Sequence, residues 1–206
     1  MKRTIEIENP HEIALKAIKG STSYQEYREL VSRHVSNGSS TGPNQTEALT
    51  QYTLLNDSRM RRLDKTTKIP DSILEKINDF KGSQTWLVLT ESWCGDAAQS
   101  MPIINKLAEG SENINFRVVE RDKNPELINA FLTNGAQSIP KLIVLDNNTN
   151  RIIGEWGPRP STATDMVNSY KKEHGSLSPE FKQDLQVWYN KDKGVNIAED
   201  LTKLLK

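Results

Sequence analysis

From Thr85 to Thr90 the chain reads "TWLVLT", a continuous apolar run without polar alternation. That is the pattern of a strand buried on both faces, so something must cover each side of it. The downstream sequence can supply the cover. "INFRVVE" reads as a second strand, and "NPELINAFLTNG" as a helix ended by Gly135. "PKLIVLD" and "RIIGEW" follow as two more strands joined by the turn "NNTN", and "STATDMVNSYKKEH" as a further helix. Strands interleaved with helices in this order predict an α/β sandwich of about four strands.

The flanks have a different texture. In "STSYQEYRELVSRHV", Tyr24, Tyr27, Val31 and Val35 share one helical face, with Ser21 or Ser23 as the cap. "NGSSTGPNQT" is a loop. A helix is expected from Glu47 to about Leu63, with Leu49, Tyr52 and Leu55 inward. "DSILEKINDF" reads as another, capped by Asp71, with Ile73, Leu74, Ile77 and Phe80 on its apolar side. Beyond Leu177, Phe181, Leu185 and Trp188 recur at helical spacing, and Leu201, Leu204 and Leu205 form a last stripe. The expected organisation is a helical extension over 1–82, an α/β domain over 83–175, and a C-terminal helical extension over 176–206 packed on that domain. The ends are expected to bury Trp188 and much of the Tyr24–Val35 stripe.

The charge balance removes one class of function. Twenty-seven basic residues meet 27 acidic ones among 206, so the chain as a whole has no basic footprint for nucleic acid. No apolar segment approaches the roughly 20 residues that span a bilayer, and "MKRTIEIENPHEI" lacks a leader's apolar region. The chain has one cysteine, Cys94, which cannot form an internal disulfide; a reducing cytoplasm is the expected compartment.

Cys94 lies in "ESWCGDAAQSMP", directly after the buried strand and at the start of a helix. A helix N-terminus presents unpaired N–H groups and positive partial charge, and both favour a thiolate, the attacking species in disulfide exchange. Gly95 would let the backbone turn with the sulfur exposed. Asp96, one turn into the field of the same helix, would oppose thiolate formation. The net expectation is a modestly lowered pKa for Cys94.

These residues resemble thioredoxin. "SWCGD" is similar to the thioredoxin W-C-G-P-C site. Pro102, eight residues after Cys94, matches the proline that kinks the active-site helix. "SIPKLIVL" resembles the loop whose cis-proline opens the next strand, which implies that Ile139 and Pro140 neighbour the thiol with Pro140 cis. "RIIGEWG" resembles the last strand, with Gly157 lining the substrate groove. "WCGDAAQ", "SIPKL" and "WGPRP" together look like a bacterial thioredoxin-like subfamily with helical ends. The departures are as informative. Ala97 stands where the resolving cysteine would be, and Asp96 where the intervening proline would be. Val88 stands where thioredoxins bury a carboxylate, six residues before the nucleophile. A two-cysteine cycle within one chain is therefore excluded.

Three readings of Cys94 stay open. It is a monothiol exchanger acting on mixed disulfides of proteins or low-molecular-weight thiols. Or the groove is a non-catalytic protein-binding module with an incidental thiol. Or Cys94 is a buried, inert small hydrophobe. Trp93 would shield the sulfur, and Arg159 would offset Asp96, grip an acidic substrate group, or lie solvated in its loop. With one cysteine and no clustered histidines, neither a metal site nor a cofactor is expected. No nucleic-acid or membrane partner is expected either.

Overall fold

The structure, a computed structural model, describes residues 9–206. Residues 1–8, part of the segment read above for a leader, lie outside the described residues.

Strands β1 (Gln84–Thr90), β2 (Ile114–Glu120), β3 (Lys141–Asp146) and β4 (Arg151–Trp156) form one sheet in the order β2-β1-β3-β4. β1 runs parallel to β2 and antiparallel to β3, and β3 is antiparallel to β4. Every residue of β1 is buried, which fits an apolar run covered on both faces. Val88 faces Val118 on one side and Leu142 on the other. The outer edge of β2 is met by Thr22, which exchanges backbone hydrogen bonds of 2.9 and 2.8 Å with Val118. Two of that edge's polar groups are thereby satisfied.

Helix α5 (Gly95–Glu109) follows β1 and packs against β2. Pro102 lies inside it, and most of its length is buried because further helices cover it on several sides. Those are α3 (Glu47–Thr66), α4 (Asp71–Asn78) and α9 (Val195–Thr202).

Ahead of α3 come α1 (Pro10–Lys19) and α2 (Tyr24–Ser36). Ser23, not Ser21, caps α2, because Glu26 completes a capping box with it. Tyr24, Tyr27 and Val31 are buried and Val35 half-buried. The expected inward face of α3 is corrected. Tyr52 and Leu55 are 51% and 45% exposed and Leu49 is half-buried, while Thr53, Asn56, Asp57, Met60 and Leu63 face inward. The helix turns a largely polar face to its neighbours because those neighbours are polar: the loop after β1, and Arg28 of α2. Arg28 donates to Asp57 at 3.0 Å and to Asp64 at 3.1 Å, and Tyr24 Oη donates to Asp64 at 2.7 Å.

Two smaller expectations also change. Asp71 is the first residue of α4 and not its cap; Pro70 precedes it, and its carbonyl accepts from both Ile73 and Leu74. Helix α6 (Pro125–Ala130) stops well short of Gly135. Phe131 leaves helical geometry to enter the core, and Thr133 and Ala136 then close a turn with mutual backbone bonds of 2.9 and 3.0 Å. Gly135 serves that turn, at φ +77.

After β4 come α7 (Ser161–His174) and α8 (Pro179–Asp192), then α9. Helix α7 has no side-chain cap of its own. Asp200, from α9, accepts from the Ser161 amide at 2.7 Å and from Ser161 Oγ at 3.0 Å, while Asn196 accepts from the Thr162 amide at 3.0 Å. One helix thus satisfies orphan donors at the start of another. Ile197, Ala198 and Leu201 of α9 are buried. In α8 the buried positions are Leu185 and Tyr189; Trp188, expected inside, is half-buried and lies edge-on to Tyr189.

Candidate functional site

Cys94 is the N-cap of α5. Its sulfur accepts from the Ala97 amide at 3.5 Å and donates to the Ile139 carbonyl at 3.3 Å. The amide aimed at the sulfur thus belongs to the residue that replaces a resolving cysteine. Ile139 and Pro140 are buried, and the peptide bond between them is cis, as is Gly157–Pro158, which sequence reading did not anticipate. Gly157 sits at φ +111, and a Cβ there would lie 2.2 Å from the Pro140 carbonyl oxygen. Its position beside the Pro140 loop is therefore closed to any side chain.

The sulfur is not exposed, contrary to expectation: Cys94 is 8% exposed. Nor does Gly95 need glycine's freedom there, since it is the first residue of α5 and a Cβ would meet nothing nearer than Arg59 at 3.7 Å. The expected lowering of the thiol pKa is also overturned. Burial first, and the Asp96 charge second, push Cys94 up to about 12 against the pull of the Ala97 and Asp96 amides and of Arg159. Helix-terminal dipoles are worth a few tenths to about 2 kcal/mol, whereas desolvating a charge in an apolar surround costs more.

Asp96 is the centre of a polar triad. Its Oδ2 accepts from Arg159 Nη2 at 2.7 Å, and its Oδ1 accepts from Tyr189 Oη at 3.1 Å. Burial raises its pKa although Arg159 and Tyr189 counter the shift. Arg159 is not a solvated loop residue: its side chain is 23% exposed, and its Nε is buried without a partner among the described residues. Tyr189 was invisible in the sequence because it lies beside the expected inward stripe of α8, and no motif marks it. Trp93 is half-buried beneath the Arg121 guanidinium, 5.0 Å from the ring centroid.

The loop carrying the thiol is pinned from below by residues without any sequence signature. Ser92 Oγ accepts from the Thr41 amide at 3.0 Å and pairs with Thr53 Oγ1 at 2.8 Å. The Ser92 amide donates to Thr41 Oγ1 at 2.8 Å, and its carbonyl accepts from Asn56 Nδ2 at 2.9 Å. All four residues are buried. Glu91, fully buried, accepts from the Asp122 amide at 2.8 Å through Oε1, while Oε2 has no partner among the described residues. Burial raises its pKa and favours the protonated acid. This carboxyl lies in the site loop, while Val88 occupies the buried strand position where the resemblance placed one.

A thiol at the N-terminus of the helix after the central strand, facing a cis-proline loop that opens the neighbouring strand, defines a thioredoxin-fold protein with extra helices at both ends. The thioredoxin family model matches residues 42–172, and the chain belongs to that family. The matched span begins before β1 and takes in α3. The chain is 32% identical over 81 residues to the Streptomyces coelicolor protein named "Putative thioredoxin 2". That match covers 39% of this chain and 58% of the relative, so the chain spans a little over half the length of that protein. Among solved structures, an HIV epitope-scaffold is similar at TM-score 0.56 and 15% identity, covering 89% of this chain and 97% of that one. A Pseudomonas aeruginosa protein of unknown function is similar at TM-score 0.55 and 16% identity, covering 89% and 96%. At such identities the likeness concerns the fold.

Proposed function

We propose that the protein is a monothiol exchanger that acts through Cys94 on mixed disulfides. One observation carries the reading: the sole thiol is the N-cap of α5, with the Ala97 amide directed at the sulfur. Cys94, as thiolate, attacks one sulfur of a disulfide. The new Cys94–S bond forms as the old S–S bond breaks, and the departing thiolate takes up a proton. No second cysteine exists in the chain to release the adduct, so an external thiol reduces it and restores Cys94. The chemistry suits a reducing compartment, for which we propose the cytoplasm.

The high pKa of the thiol favours a second reading, a non-catalytic module whose groove holds a protein partner. Intact-mass measurement separates them. Under exchange, an uncharged disulfide offered at about pH 8 adds one half-molecule to the wild type and none to the Cys94→Ser variant, and excess small thiol removes it. Failure to form the adduct while the protein remains folded rejects exchange and leaves the binding module or an inert buried thiol.

A further inference from the structure

A pocket of about 400 Å³ opens over Gly95 and Asp96, the two residues after Cys94; the thiol itself is not part of its lining and lies next to it through these two residues. Its size suits a small-molecule ligand. Its walls come from helices outside the sheet: Tyr52 and Arg59 from α3, Lys182 and Gln186 from α8, with Arg159 from the loop after β4. The lining carries three cations and one carboxylate, and that carboxylate, Asp96, is already paired with Arg159. Arg59 donates from Nη1 to the Asn56 amide oxygen at 3.2 Å, and neither it nor Lys182 has a carboxylate within ion-pair distance among the described residues. Partial burial, and then the neighbouring Arg62, press the Arg59 pKa down against the weaker pull of Tyr52 and Asp96. The buried Arg159 Nε is a further donor without a partner among the described residues.

We infer that this pocket binds the carboxylate of a short, acidic, low-molecular-weight disulfide, and so selects the substrate of Cys94. The inference rests on the exchange reading. Arg59 and Lys182 hold the carboxylate, and guanidinium geometry suits it. The bound disulfide is then cleaved by Cys94: one acidic half stays on the sulfur and the other leaves as a thiol. A second molecule of acidic thiol reduces the adduct and departs as disulfide.

The test uses three disulfides of similar length on the full chain: dithiodipropionate, bis(hydroxyethyl) disulfide and cystamine. Adduct formation on Cys94 is timed by intact mass, and each rate is divided by that of free cysteine under the same conditions. The dicarboxylate should react roughly fivefold faster than the neutral compound, since two partly exposed ion pairs supply about a kcal/mol in total. Cystamine should react more slowly than either. The anionic-to-neutral ratio should fall toward one in Arg59→Gln, in Lys182→Gln, and in the wild type at high salt. Lys182 is exposed, so its variant keeps the fold, and the salt series needs no variant at all. If the neutral disulfide reacts without any preference for the dicarboxylate, or cystamine is fastest, the pocket assignment is overturned while exchange stands. If none of the three forms an adduct, exchange itself falls and takes the pocket assignment with it.

Discussion

At Cys94 two opposing influences meet, and their ranking is measurable. The amides of α5 favour the thiolate, while burial and Asp96 disfavour it more strongly. The alkylation rate of the native protein should still be climbing at about pH 10, where a free cysteine, with its pKa near 8.5, has levelled off. Asp96→Asn removes the second-largest opposing influence; its one carbonyl oxygen still accepts from Arg159, and its NH2 can donate to the Tyr189 hydroxyl oxygen. It should speed alkylation at about pH 8 several-fold; an unchanged rate would show that the Asp96 charge does not reach the sulfur. Gly157 makes the other residue-scale prediction. Alanine there would need φ +111 and would set a methyl 2.2 Å from the Pro140 carbonyl. Gly157→Ala should cost about 2–3 kcal/mol in urea unfolding, at the upper end of what local backbone strain carries.

At the scale of the element, α3 separates periodicity from burial. Its apolar residues Tyr52, Leu54 and Leu55 are exposed, and its inward face offers Thr53, Asn56 and Asp57. Hydrophobic spacing chose the wrong side because, beside α5, what α3 covers is a polar loop and an arginine, and Thr53, Asn56 and Asp57 turn inward to meet them. Asn56→Ala should therefore cost about 1–3 kcal/mol, by leaving the buried Ser92 carbonyl without its donor. Leu55→Ser should cost under about 0.5 kcal/mol. Chemical denaturation of the pair reads both; the opposite ranking would mean that α3 packs through its apolar stripe after all.

Over the whole molecule, the chain's last helix closes the fold. Leu201 is fully buried, and Gly194, at φ +84, lies so close to Ile103 of α5 that a Cβ would come within 2.5 Å of it. Leu201→Ala should cost about 2–5 kcal/mol, although it lies far from the sheet in sequence. Asp200 ties α9 to α7. Burial raises its pKa, but the Ser161 amide, Lys203 and Trp156 more than offset that, so the folded value lies below the ordinary carboxylate range. A depressed folded pKa gives stability that is present above the unfolded pKa and is lost as pH falls through the folded one. The wild type should therefore lose stability relative to Asp200→Asn on acidification below about pH 4, as followed by thermal melting across pH; parallel melting curves would exclude the coupling.

Much of the sheet and the thiol's local setting was legible in the chain. "TWLVLT" determined a strand buried on both faces, because no arrangement exposing one face suits six such residues in a row. The position of Cys94 at the start of a helix followed from the strand–turn–helix pattern, and its solitude from a count. What the thiol experiences did not follow. Its burial, the pairing of Asp96 with Arg159 and Tyr189, and the support of Ser92 by Thr41, Thr53 and Asn56 join residues far apart in the chain. Apolar periodicity records how an element meets a hydrophobic core; it carries no signal for polar side chains that find one another only when helices are docked. The electrostatics of the site are set by desolvation and by those distant charges, and both come into being only with the tertiary structure.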